Sequence, residues 1–153
     1  MKFDKGDKIP EFELIDHNDQ KVSLDKFSDK NVLLSFHPLA WTRVCRLQME
    51  ALEEHYQEFL DNNTIPLGIS VDPVPSKKAW AEDLDLENLR LLSDFWKHGD
   101  FADKLGIFLD NKGISGRVNI LVNERGEIIW SKVYDIHEEP DIAEVLKIVK
   151  ENA

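Results

Sequence analysis

The sequence of 153 residues has little cysteine, few basic residues and no long apolar run. Its one cysteine, Cys45, excludes an internal disulfide, a paired-cysteine redox motif and a multi-cysteine zinc site within one chain. Lysine and arginine total 19 against 30 acidic residues, and the net charge of −11 disfavours binding to nucleic acid or to anionic lipid. No apolar stretch approaches the roughly 18 residues of a membrane span.

The sequence also indicates the cellular location and the number of domains. The first ten residues contain no apolar segment of the secretory type, and an odd thiol suits a reducing compartment, so we expect a cytoplasmic protein. The sequence shows no repeat, low-complexity tract or linker. Its length suits one domain with a real hydrophobic core, and we predict a single domain over residues 1–153.

Apolar spacing alternates between the periods of strands and helices along the chain. We predict an N-terminal β-hairpin, a series of strands and helices in βαβα order, a second hairpin and a last helix. The predicted strands are 12–15, 21–24, 31–36, 65–71, 89–92, 117–122 and 127–133, and the predicted helices are 42–60, 76–84, 101–105 and one beginning at Pro140. This order predicts an α/β fold with a central mixed β-sheet flanked by helices on both faces.

Cys45 falls at the start of the longest predicted helix. Thr42 is a good N-cap, which makes Cys45 the third helical residue, where free backbone N–H groups and the helix dipole favour a thiolate. Arg43 and Arg46 flank the cysteine in a chain that has only five arginines. The cluster predicts an activated thiol, and the alternative is that both arginines pair with carboxylates on the helix surface.

Ionisation of the thiol alone is a small part of catalysis. Converting a free thiol almost fully to thiolate at neutral pH gains about thirtyfold in rate. Enzymes typically accelerate reactions by about 10⁶-fold or more. An enzyme built on Cys45 therefore also needs groups that hold the substrate in line and stabilise the charge that develops during reaction.

Pro38, Thr42 and Cys45 form the pattern Pro-x-x-x-Thr-x-x-Cys. This pattern resembles the active-site signature of the peroxiredoxins, the thiol peroxidases of the alkyl hydroperoxide reductase/thiol-specific antioxidant family, which have a thioredoxin-like fold. The resemblance covers nearly the whole chain. It continues through residues 6–10, 68–72, 78–80, 91–94, 98–99, 116–117 and 123–128.

The resemblance implies a role for each of four residues. Cys45 would be the peroxidatic nucleophile that becomes a sulfenic acid. Thr42 would hydrogen-bond the peroxide, Pro38 would shield the sulfur from water, and Arg117 would steady the thiolate and polarise the peroxide. The structural alternatives are a helix cap for Thr42, a strand terminator for Pro38 and a surface ion pair for Arg117.

Two positions depart from the family pattern. Gln48 stands where a carboxylate is frequent, and its amide can accept hydrogen bonds but carries no charge for a salt bridge. His37 stands before Pro38, where many members have an aromatic residue. His37 could hydrogen-bond the sulfur or tune its ionisation, or it could pack as an aromatic substitute at the end of the strand.

With one cysteine, the resemblance implies a one-cysteine mechanism. An external thiol, either a low-molecular-weight thiol or a thioredoxin- or glutaredoxin-like protein, would regenerate Cys45. No cofactor or metal is expected. The family resemblance and Trp41 beside the site also predict a homodimer or a higher homo-oligomer.

Two alternative functions use the same cysteine. The first is a redox sensor without turnover, in which oxidised Cys45 recruits a partner protein. The second is a cysteine hydrolase in which His37 would be the base, and it needs an orienting group for His37 that the sequence does not reveal.

Overall fold

All 153 residues are described by the structure, which is a computed structural model. Nine strands and five α-helices follow one another along the chain, with a short 3₁₀-helix at Leu24–Phe27. The strands are β1 (Leu14–Asp16), β2 (Lys21–Val22), β3 (Asn31–Phe36), β4 (Thr64–Ser70), β5 (Arg90–Ser93), β6 (Phe108–Leu109), β7 (Ile114–Ser115), β8 (Arg117–Val122) and β9 (Ile128–Tyr134). The helices are α1 (Arg43–Glu54), α2 (Tyr56–Asp61), α3 (Val74–Asp83), α4 (Asp100–Leu105) and α5 (Ile142–Glu151).

Seven strands form one mixed sheet in the order β2-β1-β5-β4-β3-β8-β9. The central strands β3, β4 and β5 are parallel and are joined by helical crossovers, whereas β1, β2, β8 and β9 pair antiparallel. The predicted mixed sheet, its N-terminal hairpin and its parallel centre are confirmed. The strands β6 and β7 form a separate two-stranded sheet that the apolar pattern did not predict.

The sheet is covered on both faces, as predicted. One apolar cluster contains Met49, Phe59, Trp80 and Val149, so α1, α2, α3 and α5 pack on one face. A second cluster contains Phe101 and Leu105, which places α4 on the other face. Every residue of β3 is buried because this strand lies between the two layers.

The predicted helix over 42–60 is two helices in the structure. His55 has φ −99° and ψ 14°, outside the helical region, and it separates α1 from α2. Both helices bury apolar residues in the same cluster against the same sheet face. The apolar stripe therefore continues across the break, and the spacing alone predicted one long helix.

Two further helix starts differ from the prediction. The helix predicted from Ser76 begins at Val74 after Pro73, so Ser76 lies inside α3 and does not cap it. The last helix begins at Ile142, and the Asp141 carboxylate caps it by accepting the Ala143 N–H. None of the five helices combines the length and the apolarity that crossing a membrane demands.

Candidate active site

Cys45 is the third residue of α1, as predicted, and its side chain is fully buried. Strand β3 ends at Phe36, and a short loop leads from it into α1. Strand β8 runs antiparallel beside β3 with Phe36 opposite Val118, which brings the first residue of β8, Arg117, to the same edge of the sheet. The sheet register therefore brings Arg117 close to the start of α1.

The guanidinium of Arg117 contacts the sulfur directly. Arg117 Nη1 lies 3.3 Å from Cys45 Sγ and 2.8 Å from Gln48 Oε1. The other side of the guanidinium donates from Nε and Nη2 to the Ile136 carbonyl, at 3.2 and 2.6 Å. The side chain is 3% exposed, and it takes part in none of the ion pairs in the chain. A buried cation without a carboxylate favours a negative charge on the nearest ionisable neighbour, which is Cys45.

Gln48 connects Arg117 to the end of β3. Its amide oxygen accepts from Arg117, and its amide nitrogen donates to Ser35 Oγ at 2.8 Å and to the Phe36 carbonyl at 3.2 Å. All polar atoms of this buried amide are therefore used. Gln48 therefore holds the Arg117 guanidinium through a hydrogen bond to its neutral amide, where a carboxylate would make a salt bridge.

Pro38 and Thr42 lie near opposite ends of the loop between β3 and α1. Thr42 is the N-cap residue of α1, but its hydroxyl makes no capping bond; it donates to the Leu39 carbonyl at 2.7 Å. The side chain is exposed and makes no hydrogen bond to Cys45. Its oxygen can still accept a hydrogen bond from an incoming hydroperoxide. Pro38 is buried directly after β3.

The two flanking arginines have different surroundings. Arg46 pairs with Asp83 at 2.7 Å and with Glu50 at 3.5 Å, and the hydrogen bond to Asp83 raises its pKa above the usual value. Arg43 is exposed and takes part in no ion pair. Arg46 therefore fits the surface-pair alternative, and Arg117, not the flanking pair, contacts the sulfur.

The imidazole of His37 lies against α3. His37 Nε2 lies 2.7 Å from Lys77 Nζ, and the imidazole ring packs 5.4 Å from the Trp80 ring at a tilt of 41°. Burial, and next the charge of Lys77, lower the pKa of His37 well below its usual value, so the ring is neutral. It makes no hydrogen bond to the sulfur, and a hydrolase dyad with Cys45 is therefore not formed.

Lys77 is the site neighbour that the sequence did not indicate. It is fully buried, whereas its neighbour Lys78 is exposed. Lysines are almost never fully buried, so nothing in the helical spacing marks this one. The chain contains no group of three or more His, Cys, Asp or Glu side chains that could hold a metal ion.

A mixed sheet that sets a buried thiol against a guanidinium fits a cysteine-based oxidoreductase, as the resemblance implied. The sequence matches the AhpC/TSA family over residues 5–131. It is 38% identical over 129 residues to the alkyl hydroperoxide reductase E of Mycobacterium tuberculosis, a match that covers 84% of each chain. It is 32% identical over 130 residues to a thiol peroxidase of Listeria innocua, covering 84% of this chain and 76% of that protein.

Solved structures agree with the sequence matches. The crystal structure of a reduced 2-Cys peroxiredoxin from Plasmodium vivax has a TM-score of 0.85 at 26% identity, covering 95% of this chain and 79% of that one. AhpC of Mycobacterium tuberculosis shares the fold with a TM-score of 0.88 at 21% identity, covering 98% of each chain. The chain belongs to the AhpC/TSA family of peroxiredoxins, and the predicted thioredoxin-like fold is confirmed.

Proposed function

We propose that the chain is a thiol-dependent peroxidase in which Cys45 reduces hydrogen peroxide or an organic hydroperoxide. The observation that carries the assignment of Cys45 is the 3.3 Å contact between Arg117 Nη1 and Cys45 Sγ in a buried site without a carboxylate. The contact supports a thiolate, which is the nucleophilic form of cysteine. The family membership supports the reaction.

The peroxide step transfers one oxygen to the sulfur. The Cys45 thiolate attacks the terminal hydroperoxide oxygen, the O–O bond breaks, and the sulfur becomes a sulfenic acid while hydroxide or alkoxide leaves and takes up a proton. Arg117 donates to the oxygens on which negative charge develops, and the Thr42 oxygen accepts the hydrogen bond of the attacked hydroperoxide. Pro38 keeps water from the sulfur.

Substrate entry needs a local movement, because the sulfur is closed to solvent in the folded chain. Leu39 and Trp41 in the adjoining loop are exposed, and Trp41 is 53% exposed with φ 69°. The loop is therefore the part of the site's cover that borders solvent. We propose that movement of the exposed side chains of this loop opens the path to Cys45 while the loop backbone stays in place.

The chain has no second cysteine, so regeneration needs an external thiol. A first thiol attacks the sulfenic sulfur as its thiolate and forms a mixed disulfide, and the displaced hydroxide takes up the proton that the thiol lost and leaves as water. A second thiol then attacks the outer sulfur and frees Cys45. A low-molecular-weight thiol or a thioredoxin- or glutaredoxin-like protein supplies both electrons, and we place the reaction in the cytoplasm, where such thiols are kept reduced.

We propose that the enzyme assembles as a homodimer or a larger homo-oligomer. Trp96 is 84% exposed, next to half-exposed Phe95 after β5, and Trp41 follows β3. Since β3 and β5 are parallel in one sheet, these aromatic side chains follow strand ends at the same edge. Exposed aromatic residues grouped in this way are typical of protein interfaces.

The test of the proposed function is the intact mass of the reduced protein after one equivalent of hydrogen peroxide. We expect one added oxygen in the wild type and none in Cys45→Ser, followed by a transient thiol adduct when the reducing thiol is supplied. Peroxide without effect on the wild-type mass would contradict the proposal. Oxidation without turnover in the presence of every thiol, with a stoichiometric partner complex, would instead support the sensor alternative.

A further inference from the structure

Lys77 and His37 form a buried pair that the peroxide step above does not use. Both side chains are fully buried, and Lys77 Nζ lies 2.7 Å from His37 Nε2. Lys77 takes part in no ion pair within 4.0 Å, so the hydrogen bond to a neutral imidazole is its closest polar contact. Burying an ammonium is costly, and the hydrogen bond to the imidazole offsets part of that cost.

The pair lies at the start of the loop that leads from β3 to the cysteine. We call residues 37–42 the pre-cysteine loop. Four hydrogen bonds hold it to the β4–α3 region: Lys77 to His37, the His37 N–H to the Ile69 carbonyl at 2.9 Å, the Ala40 N–H to Asp72 Oδ2 at 2.9 Å, and Trp41 Nε1 to Ser76 Oγ at 3.1 Å. The start of α3 therefore fixes the segment that places Pro38, Thr42 and the first turn of α1.

The charge of Lys77 is sensitive to the charge of Cys45. Burial lowers the pKa of Lys77 to about 7, while the negative charges of Asp72 and Cys45 favour its ammonium form. Coupling of this kind is reciprocal, so an ammonium at Lys77 favours the thiolate at Cys45. Asp72 faces the same region from the β4–α3 loop and also accepts from Ser70 Oγ at 2.6 Å.

One further histidine, His17, and Arg117 also belong to the ionisable surroundings of the pair. His17, after β1, has a pKa lowered first by burial, and the charge of Lys77 contributes to the lowering while Asp16 opposes it. Arg117 adds to the lowering of the pKa of His37. Both histidines near Lys77 are thus biased to the neutral form, which leaves Lys77 as the cation on this side of the cysteine.

We propose that Lys77 is a positioning residue for Cys45: its ammonium, seated on His37, holds the pre-cysteine loop and favours the thiolate from the α3 side. This inference rests on the proposed function. Arg117 contacts the sulfur from β8, and Lys77 acts through the loop and through its charge.

The experiment is a double-mutant cycle with Lys77→Met, His37→Phe and the combined variant. Lys77→Met leaves His37 Nε2 without a donor, and His37→Phe leaves the ammonium unpaired, so each single variant loses stability. The combined variant replaces both polar groups with apolar ones of similar size and recovers stability. Lys78→Met, which removes an exposed lysine from the same helix, is the matched control.

Two readouts separate the electrostatic role from a structural one. Urea unfolding reports stability, and stopped-flow loss of the Cys45 thiol with hydrogen peroxide reports the reaction rate across pH. We expect the combined variant to unfold like the wild type but to react about tenfold more slowly near pH 6, with the deficit shrinking as the pH rises. Lys78→Met should match the wild type in both measurements.

A combined variant with wild-type stability and a wild-type pH profile would overturn the role of Lys77 and leave the proposed function standing. If the combined variant does not fold, Lys77→Gln, which keeps a donor for His37 but no charge, is measured in its place. A slower reaction near pH 6 then supports the role of Lys77, and a wild-type pH profile overturns it. A wild type whose thiol does not react with peroxide would overturn the proposed function, and this inference with it.

Discussion

Arg117 Nη1 lies 3.3 Å from Cys45 Sγ, although 72 positions separate the two residues along the chain. The contact results from the antiparallel pairing of β3 with β8, which sets the first residue of β8 beside the loop that enters α1. The guanidinium is also fixed by the Ile136 carbonyl and by Gln48, so it is in place before any substrate arrives.

Removing this guanidinium should slow the peroxide step by more than a loss of protein stability could explain. We expect Arg117→Ala to lower the second-order rate constant with hydrogen peroxide by about 10²-fold or more. Arg117→Lys, which keeps the charge but not the fork of donors, should recover only part of the loss. Stopped-flow thiol loss measures the rates, and Arg125→Ala, at the exposed β8–β9 turn, is the matched control.

Two variants of Thr42 test whether the hydroxyl of this N-cap residue also binds substrate. It donates to the Leu39 carbonyl in the substrate-free chain, and its oxygen can accept from a hydroperoxide. We expect Thr42→Val to slow the peroxide step by about tenfold or more and Thr42→Ser to stay close to the wild type. Equal rates for the valine and serine variants in stopped-flow mixing would restrict Thr42 to a structural role.

Gly68 permits close packing beneath the site. A Cβ added there would lie 2.5 Å from Met49 Sδ, 2.9 Å from Leu91 Cδ2 and 3.5 Å from His37 Cε1. We expect Gly68→Ala to reduce the free energy of unfolding by about 1–3 kcal/mol because the overpacked side chains must move. Gly116→Ala, whose Cβ would have no neighbour closer than 3.6 Å, should cost clearly less in urea unfolding.

Glu53 makes a pH-dependent contribution to stability. Partial burial opposes its ionisation, but the backbone N–H groups of Leu89, Asn88 and Glu87 donate to its carboxylate, and the pKa lies below the usual value. Its stabilisation is therefore present above the unfolded-state pKa and is lost as the pH falls through the folded-state pKa.

For this reason Glu53→Gln should lower the free energy of unfolding by about 1 kcal/mol at neutral pH. The difference from the wild type should shrink toward zero at an acidic pH below the lowered folded-state pKa of Glu53, because both side chains are then uncharged. Urea unfolding at the two pH values measures it. A deficit that is the same at both values would show that the carboxylate charge is not involved.

Much of the fold and the centre of the site could be predicted from the sequence. The all-buried β3 is a continuous apolar run, and Thr42, a preferred N-cap residue ahead of apolar residues at helical spacing, marks the start of α1. Arg117 was indicated only by the family resemblance. Spacing along the chain carries no information about a contact that depends on the register of two strands.

The rest could not be predicted because it depends on tertiary packing. The sequence does not show that Lys77 is buried while Lys78 is exposed, since both occupy one helix and both are polar. It equally predicts a capping bond for the Thr42 hydroxyl, but the hydroxyl bonds to Leu39 because the loop before α1 brings that carbonyl within reach.

The central claim is that Cys45, activated by Arg117, reacts with peroxide as an enzyme nucleophile. The most direct measurement is the second-order rate constant for loss of the Cys45 thiol on mixing reduced protein with hydrogen peroxide. We predict a value far above that of a free cysteine, one equivalent of thiol consumed per chain, and no reaction in Cys45→Ser. A wild-type rate equal to that of free cysteine would contradict the account.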